Sequence, residues 1–170
     1  MTNYIYRHLS AEITECQKYY QIVTITGPRQ VGKTTLCRNL FPDYAYYNLE
    51  DISLREEVER DPKNFFANTG KHVIIDEVQT LPSLLSYLMV YVDADSEWRF
   101  VLTGSCNITL LNTISQSLCG RTDVLTLLPL SLDEVPDYKN HHTDEILFNG
   151  LYPALFSKHI PARRIFSNYY

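Results

Sequence analysis

No two cysteines in this sequence stand at CxxC spacing, and no histidines complete a zinc-finger pattern. The four cysteines, Cys16, Cys37, Cys106 and Cys119, are scattered along the chain. That argues against a disulfide-stapled or zinc-stapled scaffold and for buried free thiols in a reducing compartment. No apolar run reaches the roughly 18 residues that a membrane span needs. The opening stretch, MTNYIYRHLSAEITE, is too polar for a secretory signal. The expected compartment is the cytoplasm, and no membrane partner is expected. An excess of basic residues is also lacking: 15 Lys and Arg stand against 20 Asp and Glu, a net charge of −5 at pH 7. The sum gives no electrostatic case for nucleic-acid binding. Internal repeats and low-complexity segments are absent too.

What is there fits a globular domain. The 170 residues are 45% apolar and 21% charged, enough to build one core. Thirteen tyrosines lift the aromatic share to 12%, which argues against a disordered chain. Residues 4–20 read as a helix, with Ile5, Leu9 and Ile13 four apart. QIVTIT (21–26), YAYYNLE (44–50), HVIIDE (72–77), RFVLTGS (99–105) and DVLTLLPLS (123–131) read as strands. Helices are expected over 33–40, 53–61, 82–95 and 107–118. The acidic run from Glu50 to Asp61 reads as a solvated helix face, with Ser53 as N-cap and Glu56 completing a capping box. Leu84, Leu85, Leu88, Met89 and Val92 form one apolar stripe, the core side of the 82–95 helix. Strands alternating with helices predict a mainly parallel sheet with helices on both faces. The apolar pattern breaks around 137–145, and the final stretch reads as a further element.

GPRQVGKTTL, residues 27–36, fits G-x-x-x-x-G-K-[ST] as Gly27, Gly32, Lys33 and Thr34. A loop that wraps a polyphosphate with backbone N–H groups needs glycine where a Cβ would clash or φ turns positive. The helix that follows offers free N–H groups and its positive dipole end. Lys33 would bridge the β- and γ-phosphates, and the Thr34 hydroxyl would ligate Mg²⁺. The cradle is expected to comprise Gly27, Pro28, Arg29, Gln30, Val31, Gly32, Lys33, Thr34 and Thr35. Four fixed positions alone are a weak signal. An apolar strand before them and a helix after them make it specific.

HVIIDE supplies the carboxylates that such a cradle lacks. An apolar strand ending in Asp puts a carboxylate at the C-terminal edge of the sheet, where ligands of open α/β sheets bind. Asp76 would hold Mg²⁺, mostly through water. Glu77 could act as general base on the attacking water. The tandem acid points to hydrolysis rather than transfer to an alcohol. Small-molecule kinases usually add an Arg-rich lid and a further glycine in the loop, whereas the loop interior here is Pro28-Arg29-Gln30-Val31. No guanine-reading NKxD string occurs, which favours ATP.

GPRQVGKTTL, VIIDEVQ, VLTGS and GRT…LLPLSLDEV, in that order, resemble the ATPase domain of a bacterial and archaeal AAA+ family. The resemblance runs from about residue 3 to residue 156. It implies a P-loop NTPase, a three-layer αβα sandwich on a mainly parallel five-stranded sheet. It implies a core over 1–137, with 138–170 beginning a helical lid or a linker. In that family a C-terminal helical and nuclease-like region typically follows. Gly27, Gly32, Lys33 and Thr34 match the Walker A motif, and Asp76 and Glu77 match Walker B.

The resemblance also implies a γ-phosphate sensor among Thr103 and Ser105, with Ser105 favoured; a strand-end turn gives the same letters. It places an arginine finger at Arg121, which would complete a neighbouring subunit's site in a homo-oligomer; a salt-bridged surface arginine is the other reading. Gln79 orients water or caps the next helix. Arg29 contacts phosphate or holds the loop. Arg163 and Arg164 are second-sensor candidates or a basic helix face.

Three functions remain to be weighed. The first is a Mg-ATP-binding AAA+ domain that hydrolyses its nucleotide as a conformational switch. The second is a nucleotide-holding interaction module without turnover, and Glu77 argues against it. The third and weakest is a small-molecule kinase. A DNA-linked role rests on family analogy alone.

Overall fold

The computed structural model describes residues 4–105, 114, 117–140, 142–158 and 160–167. Its centre is a five-stranded parallel sheet: β1 (Ile22–Gly27), β2 (Ala45–Asn48), β3 (His72–Asp76), β4 (Arg99–Ser105) and β5 (Thr122–Thr126). The strands lie in the order β2-β3-β4-β1-β5, and every pairing is parallel. β1 sits between β4 and β5, and all six of its residues are buried. A strand covered on both faces reads as a continuous apolar and β-branched run, as IVTIT does.

The period-2 geometry of the strands sorts their side chains onto two faces. Ile22, Val73, Ile75, Phe100 and Leu102 face one core with Leu84, Leu85 and Leu88. Those leucines belong to α5 (Leu84–Ala94), whose apolar stripe is therefore core. Val23, Ile25, Ile74, Val101 and Leu125 face the other core with Ile13, Leu36 and Cys37. These last three come from α1 (Leu9–Tyr19) and α2 (Lys33–Leu40). Each large side chain fully buried this way contributes roughly 1.5–3 kcal/mol. On the first face Trp98 stacks on Phe100 at 5.2 Å, with Phe66 edge-on to both.

Several expected boundaries shift, each for a local reason. The first helix starts at Leu9 rather than at residue 4, because Arg7 is drawn away into other contacts described below. The helix expected over 53–61 is α3 (Ile52–Arg60), and its N-cap is Asp51, not Ser53. The Asp51 carboxylate accepts from the N–H groups of Ser53 and Leu54. The chain then starts a second helix, α4 (Pro62–Asn68), which the reading of a single acidic helix missed. Asp61 caps it and Pro62 occupies its first turn, the position where a missing N–H costs nothing. α5 begins two residues after Pro82. β2 and β5 are shorter than expected, and β5 gives way before Pro129, which could not donate to a strand. The helix expected over 107–118 falls mainly outside the described residues, as does Cys106. Beyond β5, the described residues include three short α-helices, α6 (Thr143–Asn149), α7 (Pro153–Ser157) and α8 (Ala162–Phe166).

Candidate nucleotide-binding site

Parallel strands bring their C-terminal ends to one edge, so Gly27, Asp76 and Ser105 end their strands on the same side of the sheet. The loop between β1 and α2 rises from that edge. At Gly27, φ is +149°, and a Cβ there would collide with the carbonyl oxygen of Leu127. Glycine is therefore required by the neighbouring backbone as well as by φ. Gln30 (φ 64°) and Gly32 (φ 95°) also take left-handed conformations, which turn the loop back onto α2. Gly32 is the residue before the first helical turn, so that turn's free N–H groups open into the loop.

Lys33 is the first residue of α2 and is buried. Its ammonium donates to the carbonyl oxygens of Gly27 at 3.0 Å and Pro28 at 2.9 Å. Burial pulls its pKa below the ordinary lysine value, while Glu77 and Asp76 pull in the opposite direction. Thr34 donates its hydroxyl to Asp76 Oδ2 at 2.6 Å. Tyr46, on β2, donates to the same oxygen at 2.7 Å. Thr103, on β4, donates to Oδ1. Asp76 is 3% exposed, so these hydroxyls replace the water that a buried carboxylate would otherwise lack.

Glu77 follows in a left-handed conformation, with φ 56°. That turn swings its side chain out of the strand's alternation and into the cleft lined by Lys33 and Thr34. Its N–H donates to the Thr103 hydroxyl at 3.3 Å. Its carboxylate accepts from the Gln79 amide at 2.5 Å. Gln79 thus neither caps α5 nor faces away. Its amide oxygen is buried and lacks a hydrogen-bond partner among the described residues.

The other expected residues fall in different places. Arg29 and Gln30 line the same cleft, together with Thr35. Pro28 and Val31 lie on the loop; the Val31 carbonyl accepts from Arg7. Of the two sensor candidates on β4, Thr103 is the one that touches Asp76. Ser105 pairs in register with Gly27 and, among the described residues, makes no hydrogen bond to Asp76 or Glu77. Arg121 precedes β5, at the opposite edge of the sheet from this cleft. It grips Asp93 with two bonds, Nε to Oδ1 at 2.7 Å and Nη2 to Oδ2 at 2.8 Å. The Asp93 hydrogen bond holds the guanidinium pKa above its ordinary value. Arg164 lines the cleft, whereas Arg163 is not among its lining residues.

The cleft measures about 650 Å³, within the range of small-molecule pockets. Its far wall is the C-terminal segment, through Pro153, Ala154, Ser157 and Lys158. A second hollow of about 410 Å³ adjoins it across Gly32 and Thr35, lined by Tyr4, Ile5, Leu36, Asn39 and Pro153. Sequence reasoning expected a lid or linker over 138–170 and named Arg164, but it missed the other residues of these walls. It also missed Arg7, Tyr46 and Glu134, because partners far apart in sequence leave no local pattern.

The comparisons with known proteins agree with this geometry. Two uncharacterized proteins, of Mycobacterium tuberculosis and Mycobacterium bovis, are each 31% identical over 154 residues. The match takes in 89% of this chain but 34% of theirs, so the chain spans about a third of their length. A Walker-type ATPase of Pyrococcus abyssi has a similar fold, with a TM-score of 0.65 and 15% identity, over 91% of this chain and 66% of that one. So has a signal transduction ATPase with numerous domains from Pyrococcus horikoshii, which carries a tetratricopeptide-repeat sensor. There the TM-score is 0.55 with 17% identity, over 92% of this chain and 29% of that one. A family model described as an AAA domain matches residues 19–136, and the chain belongs to that family, as an AAA+ P-loop ATPase domain.

Proposed function

We propose that this cleft binds Mg-ATP and hydrolyses it, and that the cycle works as a conformational switch. The observation that carries the reading is the convergence of Lys33, Thr34, Asp76 and Glu77 at one sheet edge, below a loop whose left-handed residues turn it into a cradle. Loop N–H groups and the Lys33 ammonium bind the phosphates. Lys33 exchanges its bonds to Gly27 and Pro28 for bonds to phosphate oxygens. The Asp76 carboxylate and the Thr34 hydroxyl are hard oxygen donors, the set that suits Mg²⁺, which keeps most of its waters. When bound, Mg²⁺ neutralises developing charge on the phosphates. Glu77 takes a proton from the attacking water, once its carboxylate leaves the Gln79 amide.

Residues 138–170 serve as the lid or linker over the cleft, supported by Pro153, Ser157 and Arg164 in its wall. Arg121 serves a neighbouring copy in a homo-oligomer, after release from Asp93. Its place at the far edge of the sheet supports action in trans rather than on its own cleft. A C-terminal effector, nuclease-like in the family resembled, would use the switch. ATP as ligand supports a cytoplasmic setting.

One contact favours the second reading, a nucleotide-holding module without turnover: the Gln79 amide occupies the carboxylate of the proposed base. Hydrolysis of Mg-ATP measured against protein concentration separates the two. Specific activity that rises with concentration supports a catalytic site completed in trans. ATP binding with flat, near-zero turnover supports the holding module.

A further inference from the structure

The Asp76 carboxylate is held by three hydroxyls from three elements, and two of them have no part in the Walker motifs. The more exposed to test is Tyr46. It stands on β2 beside Ile74 of β3, so its ring lies on the same face of the sheet as Asp76, two residues further along. The ring packs against the core formed by Leu36 and Cys37 of α2. The Arg38 guanidinium lies 4.9 Å from the ring centroid, a cation–π contact that fixes the ring from above. So placed, the phenol reaches Asp76 Oδ2 at 2.7 Å.

This oxygen is shared. Thr34 also donates to it, at 2.6 Å. A threonine hydroxyl that turns a lone pair to a cation cannot spend its proton on the same carboxylate in the same way. When Thr34 becomes a ligand, Oδ2 keeps a single neutral donor among the described residues, the Tyr46 phenol. A neutral phenol is a proton donor, and this one lies 2.7 Å from the carboxylate oxygen it holds. Outer partners of this kind orient ligating carboxylates, and their loss typically costs about 10- to 100-fold in metal affinity or activity.

We propose that Tyr46 is a positioning residue for the Mg²⁺ of this site: its hydroxyl fixes the Asp76 carboxylate in the orientation that receives the cation once Thr34 has turned away. The inference rests on the Mg-ATP reading of the cleft and deepens it. Tyr46 is not among the residues that line the cleft, so it acts through Asp76.

The test is a Mg²⁺ titration of the whole chain with a fluorescent ATP analogue, following its bound signal rather than turnover. In Tyr46→Phe the ring stays under Arg38 and only the hydroxyl goes. The Mg²⁺ concentration at half-maximal signal is expected to rise about 10-fold or more, while affinity for the analogue in EDTA stays at the wild-type value. Tyr47→Phe removes a hydroxyl from the same strand on the opposite face, where the ring meets Phe65 edge-on at 4.8 Å, and should leave the midpoint in place. An unchanged midpoint in Tyr46→Phe overturns the proposal. A lower one overturns it too, because the bond would then be a brake on the cation. An equal shift in Tyr47→Phe, or an equal loss of affinity in EDTA, would reduce Tyr46 to a role in the fold and overturn it as well. A wild-type chain that binds the analogue without any Mg²⁺ dependence overturns the Mg²⁺ reading and this proposal together. A shift absent only in the variant leaves the Mg-ATP reading standing.

Discussion

Arg7 Nη1 donates to the carbonyl oxygen of Val31 across 2.8 Å, which ties the segment before α1 to the interior of the phosphate loop. The same guanidinium donates to the Leu128 carbonyl at 2.6 Å and pairs with Glu134 at 3.1 Å. Glu134 in turn accepts from the N–H groups of His8 at 2.6 Å and Ser131 at 2.9 Å. Both side chains of the pair are 6% exposed. A buried pair with its other bonds satisfied holds geometry, and removing one partner leaves a buried charge alone. Arg7→Ala is expected to destabilise the chain by about 3–5 kcal/mol. Chemical denaturation of the variant and the wild type measures it. A loss below about 1 kcal/mol would mean that water replaces the guanidinium at little cost.

Glu134 gives the same network a pH dependence. Burial alone would raise its pKa, but the backbone N–H bonds from Ser131 and His8, with the Arg7 charge, outweigh it and hold the value below the ordinary 4.5. A carboxylate with a depressed folded-state pKa contributes stability above its unfolded value, and loses it as pH falls through the folded one. Glu134→Gln should therefore flatten the fall in stability below about pH 4.5 while lowering stability at pH 7. Thermal melts across that range check the sign. An acid limb as steep in Glu134→Gln as in the wild type would place the titrating group elsewhere.

Lys33→Ala removes the only ammonium inside the loop among the described residues. Truncating one side of a desolvated charge contact costs about 2–5 kcal/mol, or roughly 30-fold upward in affinity. ATP binding by calorimetry should fall by at least that much. The melting temperature should hold or rise, since the wild-type ammonium is buried and its hydrogen-bond partners among the described residues are two neutral carbonyls. Unchanged affinity would sink the cradle.

Much of this architecture could be read along the chain. Strands covered on both faces announce themselves as apolar β-branched runs, and the runs 21–26, 72–77 and 99–105 fall within a residue of β1, β3 and β4. Lys33, Thr34, Asp76 and Glu77 were legible because each lies at a fixed distance from a strand end. The remainder depends on contacts between distant segments. Tyr46 reads as one tyrosine among thirteen until β2 is laid beside β3. Arg7 reads as the polar start of a helix until Val31 and Glu134 draw it out of one. Asp51 won the cap from Ser53 because a carboxylate two residues ahead reaches two N–H groups at once. Thr103 and Ser105 differ by two residues on the same face of β4, and the side-chain neighbours alone separate them.

Glu77→Gln keeps the shape of the site and removes its base. If Glu77 activates water, turnover should drop by about 10²- to 10⁴-fold while ATP affinity stays near wild type. The Gln79 contact adds a second arm to the test. The amide holds the carboxylate at 2.5 Å, and the amide oxygen lacks a partner among the described residues. Gln79→Ala frees the carboxylate without removing it. A pure restraint predicts that basal hydrolysis rises in Gln79→Ala. If the amide instead aligns the water with its oxygen, hydrolysis falls in Gln79→Ala as it does in Glu77→Gln. Steady-state phosphate release from both variants, at saturating Mg-ATP, decides between restraint and alignment. Turnover retained in Glu77→Gln would show that another group is the base, and both roles for Gln79 would go with it.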